Sequence, residues 1–223
     1  MATKGGGAAA KARPPARRKR NRAGRPTAGE LERRKNVVMQ VATDMFVARG
    51  YAATTLLDIA KQAGVATRTL YQHFGGKEAL FREVIFARDT AIIDKPHVIE
   101  GEDLSAVLRK AAHYAFQVAL RPRSIDLMRL MIAESARFPK LMTDVGNKIF
   151  TRFLAALAQV FAELAERGMI PDGDHGQSAE LFADLILGNR TIMIYFGWAS
   201  ALTAERDLDA KIDLFINGRF RAR

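Results

Sequence analysis

Between Thr54 and Glu78 the chain places two helix signals and two helix breakers in quick succession, and this segment limits the fold more than any other. Thr55 stands where an N-cap belongs, and Asp58, three residues on, suits the positive end of the helix that follows. Ile59, Ala60 and Ala63 form its inward face, the two alanines small enough to let a neighbouring helix approach. Gly64 supplies a turn and Val65 plugs its inside. Leu70 and Phe74, four residues apart, give the next helix a buried face. Gly75-Gly76 breaks that helix, and Lys77 opens a longer one to about Thr90. Two short helices around a tight turn, the second with a polar outer face, are the arrangement by which a helix-turn-helix presents one helix to the DNA major groove.

The rest reads as helix throughout. Thr27-Ala28-Gly29-Glu30 is a capping box, followed by an apolar face of Val38, Val41, Ala42, Met45 and Phe46 that Arg49-Gly50 ends. Lys95-Pro96-His97 marks a loop. Beyond it come helical faces of Leu104, Leu108, Ala111, Ala112 and Ala115, then Leu127, Leu130, Met131 and Ser135, then Leu141 through Leu164. A turn at Pro171-Asp172-Gly173-Asp174 precedes a helix from about Ser178 to Ser200 and a last one from about Ala204 to Asn217. No strand alternation or internal repeat is visible. The expected fold is all-α with about nine helices. Its parts are a tail over 1–26, a helix-turn-helix domain over 27–92 and a second helical domain over 98–223.

Charge separates the tail from the body. The net charge is +11, yet nine of the 35 basic residues fall in Met1–Pro26, which holds no acid; the remainder carries 26 basic against 24 acidic residues. The Gly-, Ala- and Pro-rich tail cannot bury a core and is expected to be disordered when free. It is either a solvated tail or a basic arm that adds phosphate contacts. With no cysteine, disulfides and thiolate catalysis are excluded, which fits a reducing, cytoplasmic setting. The greasiest stretch, Leu181 to Leu202, is interrupted by Asp184, Asn189 and Arg190 and makes a poor membrane span.

A recognition helix needs short polar and cationic side chains near its N-terminus, and Thr67, Arg68 and Thr69 supply them. Arginine can pair in bidentate fashion with guanine, and a threonine methyl can meet a thymine methyl. Tyr71 and His73 are long enough to reach flanking phosphates, while Thr55 and Lys77 lie beside the free N–H groups of two helix starts. The competing reading of this spacing is an ordinary helical hairpin with a solvated face.

The residues themselves resemble the DNA-binding domain of the TetR family of transcriptional regulators. That family's run stands here as Thr54-Thr55, Asp58-Ile59-Ala60, Ala63-Gly64-Val65, Leu70-Tyr71-Gln72-His73-Phe74 and Lys77-Glu78-Ala79-Leu80, with Phe46 and Gly50-Tyr51 upstream. One departure is Ala66, where the family often has a capping serine, so Thr67 is a candidate substitute cap. The run Leu130 to Pro139 is similar to the C-terminal domain of the AefR-like subgroup. The resemblance implies a helical ligand-binding and dimerisation domain.

Phe116, Met131, Phe153, Phe182, Met193 and Phe196, with Met128, Phe150, Tyr195 and Trp198, are candidates to line a cavity for a small hydrophobic ligand; ordinary core packing is the alternative. Leu181, Leu185, Ile192, Leu208, Ile212 and Phe215 are candidates for a homodimer interface, or for closing the monomer core. Catalytic and metal signals are poor. His97, His113 and His175 are scattered, and a calcium loop from Asp172 would need a glutamate where Ala183 stands. No cofactor or enzymatic activity is expected. The function expected is a homodimeric repressor released from a palindromic double-stranded operator by its ligand. The rivals are a sequence-nonspecific nucleoid-type DNA binder and a small-molecule carrier with a vestigial DNA-binding head.

Overall fold

A computed structural model describes residues 28–93 and 103–220; the basic tail, Thr27 of the capping box and the Lys95-Pro96-His97 loop lie outside the described residues. Among the described residues there are nine α-helices, one 3₁₀ turn and no strand. The first helix, α1 (Ala28–Ala53), buries Val38, Ala42, Met45 and Phe46 and is broken at Gly50. Gly50 has φ +83°, a left-handed value that side chains rarely adopt.

Two short helices follow. In α2 (Leu56–Ala63) the Thr55 hydroxyl accepts from the Asp58 N–H at 3.1 Å and donates to the Asp58 carboxylate at 2.6 Å. Gly64 ends α2 in the left-handed conformation, φ +67°. In α3 (Thr67–Phe74) Leu70 and Phe74 are buried, and Gly75 ends it at φ +82°. The helix α4 (Lys77–Ile93) then leads out of this head.

The body comprises α5 (Leu104–Leu120), α6 (Pro122–Glu134), α7 (Pro139–Glu166), α8 (His175–Tyr195), the 3₁₀ turn Ala201–Thr203 and α9 (Leu208–Arg219). The boundaries of its last two helices differ from those expected. Asp174 caps α8 by accepting from the Gln177 N–H at 2.8 Å, so the helix starts before Ser178; it stops at Tyr195, ahead of Gly197 at φ +76°. The 3₁₀ turn and Asp207, at φ +60°, delay α9 to Leu208. Ser135 lies just past the end of α6 and is exposed; Glu134, one turn beyond Met131, occupies the buried face instead.

Two apolar cores result. One joins α5, α7, α8 and α9 around Phe161, Phe182 and Phe215, whose rings meet 5.1–5.7 Å apart. The other fills the head with Phe46, Ile59, Leu70 and Phe81 and continues into the body through Leu127, Leu130 and Met131 of α6 and Leu141, Met142 and Val145 of α7. The head therefore packs on α6 and the start of α7 as part of its own interior.

Candidate nucleic-acid interface and apolar cavity

The outer face of α3 is held rigidly from beneath by Leu70 and Phe74. Arg68, Tyr71, Gln72 and His73 are exposed on it, while Thr67 and Thr69 are half-buried. Ala66 occupies the N-cap and supplies no side-chain hydrogen bond; Thr67 is the first helical residue and does not replace the missing cap. Thr55 is exposed at the start of α2, its hydroxyl already engaged with Asp58.

Lys77, expected beside a phosphate, also makes contacts within the head. Its ammonium donates to the Ala52 carbonyl at 3.1 Å and lies 4.4 Å from the centre of the Tyr51 ring. Burial holds it below the usual lysine range, with Glu134 pulling the other way. The side chain thus ties α4 to the end of α1 with one of its three donors.

A groove of about 510 Å³ separates the start of α1 from α3, with Arg33, Arg34 and Lys35 on one side and Ala66, Thr69 and His73 on the other. Lys35 is ion-paired with Glu83 at 2.9 Å, joining α1 to α4. Arg33 and Arg34 are exposed beside the reading helix. The sequence reading missed them, although the run Glu32-Arg33-Arg34-Lys35 in the first helix was the available signal.

In the body, a cavity of about 260 Å³ lies among α4, α5, α6, α7 and α8. Met131 and Phe153 line it, as do Met128, Phe150 and Tyr195. The other five expected residues, Phe116, Phe182, Met193, Phe196 and Trp198, do not. Phe116 and Phe182 are packed into the body core, Phe182 edge-on to Phe161 and Phe215. Phe196 stacks on Trp198 at the surface, 5.0 Å between ring centres, and Met193 is half-buried off the cavity wall. Ile85 of α4, Leu127 of α6, Ile149 of α7 and Leu187 of α8 complete much of the apolar wall; periodicity had marked Leu127 and Ile149 only as helical face, and Ile85 and Leu187 were not singled out.

Three hydroxyls reach the wall. Tyr195 donates to the Ala119 carbonyl at 3.2 Å, and burial pushes its phenol up to about 12. Thr191 donates to the Leu187 carbonyl at 2.7 Å, and Ser124 is the third. Among the described residues, no Asp, Glu, Lys or Arg side chain lines the cavity.

The residues expected at a dimer interface separate into two groups. Leu208, Ile212 and Phe215 are only 7, 1 and 5% exposed, because their stripe turns inward against the protomer's own core. Leu181 and Ile192, at 48 and 52%, are open to solvent, and Leu185 is half-buried between them. Leu214, on the outer side of α9, is exposed as well and was not anticipated.

A helix-turn-helix head with a polar reading helix, joined to a larger helical body with an apolar cavity, defines a DNA-binding transcriptional regulator. Residues 38–84 match the family described as bacterial regulatory proteins, tetR family, and residues 106–217 match the AefR-like transcriptional repressor, C-terminal domain. The chain belongs to the TetR family. It is 27% identical to the HTH-type transcriptional regulator SrpR of Pseudomonas putida over 204 residues, spanning 89% of this chain and 88% of that one. Among solved structures it resembles a TetR-family regulator from Mesorhizobium loti MAFF303099, with 28% identity, a TM-score of 0.72 and coverage of 86% of this chain and 98% of that one. It also resembles the flavonoid-responsive regulator FrrA, with 26% identity, a TM-score of 0.70 and coverage of 84 and 97%.

Proposed function

We propose that the protein acts in the cytoplasm as a homodimeric repressor that a neutral, largely apolar small molecule releases from a near-palindromic operator. In this reading, residues 27–92 form the DNA-binding domain and 98–223 the ligand-binding and dimerisation domain. Helix α3 enters the major groove in each half-site, and the half-sites lie ~34–36 Å apart or a multiple of that. Arg68 reads bases, Thr67 and Thr69 make the close contacts at the helix start, and Thr55, Tyr71 and His73 meet phosphates. Arg33 and Arg34 add phosphate contacts from the other side of the groove. Leu181, Leu185 and Ile192, joined by Leu214, carry the dimer contact.

The observation that carries this reading is the exposed, uncapped start of α3 with Arg68 beside it, set on a buried Leu70–Phe74 base. An N-terminus without a side-chain cap is open to a phosphate. The cavity supports a ligand without net charge, since burying an unpaired charge there would be costly. FrrA, named as flavonoid-responsive, is a structural neighbour consistent with an aromatic ligand.

Selection of duplexes from a random pool, in excess competitor DNA, tests the DNA half. Enrichment of one near-palindromic duplex is expected, and indifference to sequence sinks the reading. Removing Met1–Pro26 should flatten the salt dependence of binding and spare the sequence preference, if the tail adds phosphate contacts.

A further inference from the structure

The geometry points to Glu134 as the positioning residue through which the cavity wall acts on the DNA-binding head; the inference rests on the reading that cavity occupancy regulates DNA binding.

Glu134 is a buried carboxylate, 9% exposed, at the last position of α6. Its Oε1 accepts the Ala52 N–H at 3.1 Å, at the end of α1 and 82 residues away in sequence. The approach to the corner is close. A Cβ on Gly50 would lie 2.7 Å from the same oxygen, so the glycine serves the backbone conformation and the approach of the carboxylate together. Phe138, just past α6, packs edge-on to Tyr51 at 4.9 Å between ring centres. The corner Gly50-Tyr51-Ala52 is therefore gripped from the body by a hydrogen bond and by a ring.

That corner also fixes the start of the helix-turn-helix. The Thr54 hydroxyl donates to the Gly50 carbonyl at 2.8 Å, Lys77 donates to the Ala52 carbonyl, and the next residue, Thr55, caps α2. At the other end, α6 is part of the cavity through Leu127, Met128 and Met131. Arg129 joins α6 to the cavity's far wall, donating from Nε to the Tyr195 carbonyl at 2.7 Å and from Nη2 to the Ile194 carbonyl at 3.0 Å. Met131 and Glu134 are three residues apart on one helix, a rise of ~4.5 Å. Over so short a span a helix moves as a unit, so a ligand that displaces Met131 displaces the carboxylate that holds Ala52. A rival route runs through α4, whose Ile85 lines the same cavity and whose Arg82 pairs with Asp144 of α7 at 3.1 Å.

Spatial continuity is not coupling, so the test measures coupling. Val118 of α5 also lines the cavity, so Val118→Trp projects bulk into it and stands in for an occupant. Two substitutions separate reach from charge: Glu134→Asp keeps the charge and loses the reach to Ala52, whereas Glu134→Gln keeps an acceptor in place and loses the charge. Affinity for a duplex that the wild-type protein selects, and amide exchange of the Gly50–Leu57 segment, are measured for each single and double variant.

Val118→Trp is expected to weaken DNA binding about tenfold or more and to speed exchange in that segment. In the Glu134→Asp background its effect should shrink to within about twofold, and in the Glu134→Gln background it should persist. An equal response in wild type and Glu134→Asp overturns the inference and leaves the α4 route. Decoupling by Gln but not Asp overturns it in favour of plain electrostatics. No response to Val118→Trp in any background overturns the regulatory reading of the cavity itself. Should Glu134→Asp fail to fold with its charge unpaired, Glu134→Asn gives the same short reach without it.

Discussion

The head is built from short helices set by their ends, and the body from long helices set by their sides. In the head, α2 and α3 are eight residues each. Their lengths are fixed by a threonine cap and two left-handed glycines, which place the exposed side of α3 over Leu70 and Phe74. In the body, α7 runs for 28 residues. Its position is decided by which neighbours fill against it, and the filling leaves a void lined by five helices. The head's interior extends into α6 and α7, whereas among the described residues the core around Phe161 contains none of α1–α4. The lesson is that the reading surface is rigid and local, but its foundation is shared with the wall of the cavity.

The comparison breaks first at the shared core. Phe46→Ala should cost ~3–5 kcal/mol of stability, since it removes a ring buried against Tyr51 and Phe81. Amide exchange should rise in α6 and at the start of α7 as well as in α1–α4. A loss of protection confined to the head would show that the two regions are independent.

The body has its own signature at high pH. The Tyr195 phenol is raised by burial from its ordinary value of 10 to about 12. Below pH 10 both folded and unfolded chains keep that proton, and stability does not depend on it. Between pH 10 and 12 only the unfolded chain releases it, so stability falls, by roughly 2–3 kcal/mol from this group in full. Denaturant melts of Tyr195→Phe should lose that share of the alkaline slope; an identical slope would mean that the phenol is solvated.

On the reading surface, Arg68→Ala should weaken binding to the selected duplex by ~1–3 kcal/mol and relax the preference at one position of each half-site. Its melting temperature should stay unchanged, because Arg68 is exposed. Undiminished discrimination among duplexes would remove Arg68 from base reading. The smallest effect is expected at the head's local signals. Thr55→Ala deletes the α2 cap and should cost ~1 kcal/mol, read as a lower melting midpoint. An unaltered midpoint would mean that tertiary packing alone holds α2 in place.

Individual residues show why the two regions differed in legibility. Thr55, Gly64 and Gly75 were readable because a cap or a positive φ is a demand that one residue satisfies with its immediate neighbours. The tie that Lys77 makes was not legible, because its position beside a helix start is local, whereas the carbonyl it meets belongs to Ala52, 25 residues earlier. Phe116 and Phe182 satisfy the composition of a cavity wall, yet they lie in the core. Leu208, Ile212 and Phe215 form a fair interface stripe, but it faces inward. An apolar stripe states that a face is buried and leaves open against what. Glu134 falls in register with Leu127, Leu130 and Met131, but a charged residue there reads as solvated, since the partner that lets it be buried lies 82 residues away.

The sequence by itself determined the all-α class, the order of the helices, the turn geometry of the head and the family to which it points, because capping, left-handed glycines and 3.6-residue periodicity act over a few residues. Only the tertiary structure decided which apolar faces close the core, which five helices enclose the cavity, where Lys77 and Glu134 find their partners, and that the head's interior continues into α6 and α7. Those outcomes depend on the volumes and polar groups that distant segments bring to one place, and no local window of the chain contains that information.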